Sequence, residues 1–96
     1  MIEHYVNKMV NTIPDGYILK YHIVGCLKDI VDSSKYRAPE MQMLTFREVE
    51  RIFAACVFRM YNSVSKEELP EWVSEIINTM YEFHDAMTGK IKFVAK

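Results

Sequence analysis

The sequence is poor in chain breakers, with three glycines and three prolines in 96 residues. So few turn formers exclude the many short strands of a β-sandwich or barrel and leave room for few, long elements. The same scarcity excludes a phosphate-cradling glycine loop, because Gly16, Gly25 and Gly89 stand far apart. Two cysteines are too few for a disulfide scaffold. Cys26 and Cys56 both fall in apolar periodic segments and read as buried free thiols of a reducing compartment. No apolar run approaches the ~18 residues that span a bilayer. The opening Met1-Ile2-Glu3-His4-Tyr5 lacks the charged-then-apolar build of a signal peptide. A net charge of −1 supplies no overall field to draw in nucleic acid or a membrane. The expected molecule is a soluble cytoplasmic protein without membrane association.

What is present is apolar bulk. Half of the residues are hydrophobic and 26% are charged, which argues for a packed core over disorder. A chain of this length is one domain's worth, here residues 1–96, and its surface-to-volume ratio makes it hard to hide so much apolar area. Seven methionines add adaptable surface. Self-association, most simply as a homodimer, is the expected way to cover the excess.

Hydrophobic periodicity predicts an all-α bundle of about four helices, over approximately 2–12, 16–32, 45–63 and 70–88, with a loop at 33–44. Ile2, Tyr5, Val6 and Met9 share a helical face before Pro14-Asp15-Gly16 breaks it. Asp15 is placed to cap the second helix, whose stripe is Leu19, Ile23, Cys26 and Ile30. Thr45-Phe46-Arg47-Glu48 has the form of a capping box and predicts the third helix start. Val49, Phe53, Cys56 and Met60 then form its stripe. Ser65 and Glu68 repeat the pattern, but Pro70 lacks the N–H that a helix begun at Ser65 would need. A short turn at 65–69 is therefore expected, then a fourth helix opening at Pro70 and ending at Gly89. Its stripe is Val73, Ile76, Met80, Phe83 and Met87, flanked by Trp72 and Ile77. The tail beyond Gly89 carries Lys90, Lys92 and Lys96 and is expected to fray or to add contacts.

The balanced net charge conceals a local imbalance. Residues 65–88 hold Glu67, Glu68, Glu71, Glu75, Glu82 and Asp85 against Lys66, a net −5, which leaves +4 on the rest of the chain. Glu71 and Glu75 repel mildly at four-residue spacing. Arg47, Arg51 and Arg59 on the third helix are the natural counter-charges. In an antiparallel pair of helices three and four, Arg59 lies towards Glu71 and Arg47 towards Glu82.

Reactive chemistry finds little support in the spacing. His22 and Cys26 are four apart on a helix, but a metal would need Cys56 and His84 brought to them from elsewhere, so no metal or other cofactor is expected. Glu68-x-x-Glu71 and Glu82-x-x-Asp85 resemble the paired acidic half-motifs of all-helical nucleotide pyrophosphohydrolases. In that family the half-motifs face one another across magnesium. Here they fall in or beside one helix, with Glu71 and Glu82 about 16 Å apart at helical rise, which departs from that arrangement. No cysteine or serine stands in a motif with a base, so no catalytic residue is expected. DNA binding would use Arg47 and Arg51 at the head of helix three, where Glu48 and Glu50 would meet the phosphates. Nucleic acid is accordingly not the expected partner.

The resulting expectation is a small protein-interaction module, an adaptor, regulator or inhibitor rather than an enzyme, that binds a protein partner through a helix face. Its contact residues are Arg47, Arg51, Arg59, Glu71, Trp72 and Glu75. The alternative is a protein that sequesters an anionic ligand such as a nucleotide through Tyr5, Tyr17, Lys20, Tyr21 and His22.

Overall fold

The structure, a computed structural model, describes residues 2–89. Among these the chain forms four α-helices and no strand: α1 (Ile2–Thr12), α2 (Lys20–Ser34), α3 (Gln42–Cys56) and α4 (Glu71–Thr88). Each helix packs on its neighbours in chain order, and α1 packs on α4 to close the bundle. The all-α bundle expected from periodicity is the observed fold. The lysine-rich tail lies outside the described residues.

The core is the sum of the apolar stripes. Val6, Met9 and Ile13 meet Ile23 and Leu27, and the other half is built by Phe46, Val49, Phe53, Val73, Ile76 and Phe83, all buried. Phe83 is its aromatic hub. Tyr5 stacks on it at 5.1 Å with rings 6° from parallel, and Phe46 meets it edge-on at 5.0 Å. α3 and α4 run antiparallel, since Phe46 meets Phe83 and His84 near one end while Tyr61, just beyond α3, meets Trp72 near the other.

Four helix boundaries differ from those expected, at both ends of α2 and of α3. α2 begins at Lys20, not Gly16. Two successive turns, Tyr17 N–H to the Pro14 carbonyl and Lys20 N–H to the Tyr17 carbonyl, occupy the intervening segment. Tyr17 is drawn towards α3, where its hydroxyl donates to the Cys56 carbonyl. Asp15 does not cap α2, whose cap position is Leu19 without a side-chain bond; its carboxylate instead accepts from Lys20 Nζ at 2.8 Å. At its far end α2 continues to Ser34, where the Ser34 hydroxyl donates to the Val31 carbonyl.

α3 begins at Gln42, so Thr45 lies inside it rather than at its cap. The 33–44 stretch is correspondingly short of a full loop: Ala38 is extended, as a residue before proline prefers, and Pro39–Met41 is a 3-10 turn running into the helix. Thr45 is buried, donates back to the Met41 carbonyl at 3.3 Å and accepts from Arg37 Nη1 at 3.0 Å. Glu48, the other half of the expected box, is taken by Arg37 through both carboxylate oxygens. The Thr-x-x-Glu spacing is thus occupied by an arginine from the preceding segment in place of the backbone donors of a helix start.

α3 ends at Cys56, well before residue 63. Val57 leaves helical geometry at φ −127°, ψ −63°, and Phe58–Tyr61 form a 3-10 turn. Side chains three apart eclipse in such a turn, so Phe58 and Tyr61 emerge on one face. The fourth helix follows its expectation. A 3-10 turn at Lys66–Glu68 precedes it, Pro70 holds the cap position, and Gly89 closes it at φ 79°, donating to Ala86 and Asp85 carbonyls.

Candidate functional site: a groove between α3 and α4

The 3-10 turn after α3 shapes a concavity between α3 and α4. By turning Phe58 and Tyr61 towards α4, it walls one end of a groove of about 510 Å³. The α3 wall is Phe46 and Glu50, and Asn62 and Leu69 lie near the turn. α4 supplies Val73, Ile77, Met80, Tyr81 and His84. These positions recur at four, three or one residues, so they share one side of α4, where Val73 and Met80 also belong to the core stripe. Val73 and Met80 are buried and form the floor, Ile77 is half-buried, and Tyr81 is 69% exposed at the lip.

Polar groups are sparse and lie among apolar neighbours. Glu50 is the charged carboxylate of the lining, and Arg47 Nη1 donates to it at 3.3 Å across one helical turn. His84 packs its ring edge-on against Phe46 at 5.3 Å, with Asp85 3.8 Å from its Nδ1. Neither lysine nor arginine is among the described lining residues. The site therefore offers apolar contact with a few directional polar groups, the usual make-up of a recognition surface.

The expected contact residues are only partly gathered here. Arg47 reaches the groove through Glu50. Arg51 is exposed and makes no ion pair among the described residues, and the same holds for Arg59, Glu71 and Glu75. The expected pairings of Arg59 with Glu71 and of Arg47 with Glu82 do not form. Glu82 instead meets Lys8 of α1 at 3.3 Å. Trp72 is half-buried between Tyr17, 5.0 Å away, and Tyr61, 6.3 Å away. It holds the 3-10 turn in place from behind.

The alternative set does not converge. Tyr5 belongs to the Phe83 stack. Tyr17 is fixed by Cys56, with Met60 Sδ 2.9 Å from its hydroxyl oxygen. Burial, with lesser contributions from Tyr61 and Cys56, pushes the Tyr17 hydroxyl above its ordinary pKa. Lys20 is spent on the Ile13 carbonyl at 2.7 Å and on Asp15, whose carboxyl it holds below the usual range. Tyr21 is 84% exposed, and His22 is exposed with its Nε2 3.7 Å from Cys26 Sγ. A second, smaller hollow between α1 and α2 is lined by Glu3, Asn7, Lys28, Asp32, Lys35 and apolar neighbours, and by none of these five.

Both cysteines are free, Cys56 buried and Cys26 half-buried. Burial, then the nearby Cys26, raises the Cys56 thiol, the opposite of what a nucleophile needs. Among the described residues no three histidine, cysteine or carboxylate side chains gather to hold a metal ion. No described helix is long and apolar enough to cross a membrane.

Sequence reasoning passed over Phe58, Tyr61, Leu69, Ile77, Tyr81 and His84 as site residues. The available signal was the excess of apolar residues on α4 beside its core stripe, Ile77 and Tyr81 four apart. Comparison of the chain with protein-family models, with curated proteins and with solved structures gives no match.

Proposed function

We propose that this chain is a protein-interaction module whose α3–α4 groove receives the apolar side chains of a partner helix. The reading is of binding rather than turnover, in an adaptor, regulator or inhibitor acting in the cytoplasm. One observation carries it: the apolar lining is strung along one helix. On α4 it runs from Val73 to His84, about 16 Å at helical rise, with Leu69 beyond the helix start. An apolar trough between two helices is how an amphipathic helix seats its anchors in a row. The absence of lysine and arginine from the described lining favours this over capture of an anion such as a nucleotide.

The homodimer belongs to a different face. Ile18 and Tyr21, 85% and 84% exposed beside and on α2, are apolar bulk that a second copy would cover.

The test is Ile77→Arg, which places a charge in the groove at a half-buried position. A partner captured by the wild-type chain should be lost on this substitution and retained by Tyr21→Lys, with both variants folded by circular dichroism. Retention of the partner by Ile77→Arg refutes the reading. Light scattering of Tyr21→Lys tests the dimer separately.

A further inference from the structure

We propose that the chain associates with itself head to tail, the arginine face of α3 in one copy seating the acidic face of α4 in the next. This contact is separate from the groove and from the α2 face. On α3, Leu44, Arg47, Arg51, Ala54 and Ala55 fall on one side of the helix at 100° per residue, and all five are exposed. Arg59 extends that face. Phe58 and Tyr61 of the 3-10 turn point to α4 and Met60 points to Tyr17, which leaves the third direction of a three-residue turn to the exposed Arg59. On α4, Glu71, Glu75, Asn78 and Glu82 share one side and are exposed. The two faces match in length, about 16 Å each from Leu44 to Ala55 and from Glu71 to Glu82. They match in spacing too, because Arg47 and Arg51 stand one helical turn apart, as do Glu71 and Glu75.

These charges are unused within the chain. Arg51, Arg59, Glu71 and Glu75 make no ion pair among the described residues, and Arg47 holds Glu50 through an exposed contact at 3.3 Å. Like charges one turn apart repel, so each face gains when its opposite is laid against it. The fold keeps the two apart. Arg51 lies 100° round α3 from Glu50 in the groove wall, and Glu71 and Glu75 lie about 160° round α4 from Val73 and Ile77. Both faces therefore turn away from the groove, and a two-fold that sets groove against groove does not join them. An unrelated protein of one charge satisfies one face, whereas a further copy satisfies both in turn. The arginine stems lie along the partner helix beside Leu44 and the small Ala54 and Ala55, and their guanidiniums fork onto its carboxylates. Contacts of this exposed kind make a weak, salt-sensitive association, with a Kd on the order of 0.1–1 mM.

The experiment is sedimentation of the full chain carrying Tyr21→Lys throughout, which silences the α2 face. At about 1 mM protein the mean mass should exceed the monomer's in about 50 mM NaCl and return to it in about 500 mM. Arg51→Glu with Arg59→Glu should be monomeric alone, and so should Glu71→Lys with Glu75→Lys, each folded by circular dichroism. Arg51→Gln with Arg59→Gln should weaken association in the same direction. Mixed in equal amounts, the two charge-reversed chains should associate again and stop at one of each, because one brings only an intact acidic face and the other only an intact basic face.

A parent chain that stays monomeric at about 1 mM in low salt overturns the proposal. So does continued association of either charge-reversed chain alone, or a mixture of the two that remains monomeric. Association abolished by Ile77→Arg places the contact in the groove and overturns it as well.

Discussion

The Tyr17 hydroxyl donates to the backbone carbonyl of Cys56 across 39 residues of sequence, tying the α1–α2 connection to the last turn of α3. One bond thus displaces the start of α2 and braces the point where α3 gives way to the 3-10 turn that walls the groove. The ring contributes too, through its edge-on contact with Trp72.

Tyr17→Phe keeps the ring and removes the donor, leaving a partly buried carbonyl short of a partner. A loss of about 1 kcal/mol is expected by urea titration, with little change in the denaturant slope. The pH dependence has a definite sign. The neutral phenol is favoured in the fold, so its pKa there lies above the unfolded value of about 10. Its contribution is complete below pH 10 and is lost as pH rises through the higher folded value. The stability gap between wild type and Tyr17→Phe should therefore narrow or reverse in alkali, read from melts between about pH 8 and 11.

Arg37 makes the second long tie, joining the segment before α3 to Thr45 and Glu48 inside it. The side chains of this pair are 23% and 35% exposed, more sheltered than any other two-sided ion pair among the described residues. Arg37→Ala should destabilise the chain by more than the loss of an ordinary surface pair, because Thr45 loses its donor as well. A double-mutant cycle with Glu48→Ala should return a clear favourable coupling, and none would show that the arginine acts through packing alone.

These two ties also explain where the sequence was readable. Pro70 and Gly89 act on their own backbone, one by lacking an N–H and the other by accepting φ 79°, so both ends of α4 were legible. The start of α2 and the end of α3 are tied to each other across 39 residues, and the first turns of α3 to Arg37 in the segment before it. Thr45 and Glu48 carry the spacing of a capping box whether they bind a helix start or Arg37, and spacing alone does not distinguish the two. The groove was hidden for a related reason. Val73 and Met80 belong to the core stripe and the groove floor at once, and Phe58 and Tyr61 reach it only because Val57 breaks the helix. The charge pattern was legible as an imbalance, but its pairing was not: Glu82 went to Lys8, on a helix whose placement only the fold supplies.

Gly25 and Gly89 make a paired prediction of opposite sign. Gly25 lies inside α2, exposed, and a Cβ added there meets nothing within 4 Å. Gly25→Ala should stabilise the chain by about 0.5–1 kcal/mol, since alanine narrows the unfolded ensemble and favours the helix without a clash. Space around Gly89 is equally open, yet its φ of 79° is a conformation in which a Cβ is strained. Gly89→Ala should therefore cost about 1 kcal/mol. Its effect should concentrate in hydrogen exchange of the last turn of α4, the turn that carries Asp85. Packing treats the two positions alike, so a difference in sign isolates backbone conformation as the cause. If both substitutions stabilise, the left-handed closure of α4 does not hold in solution.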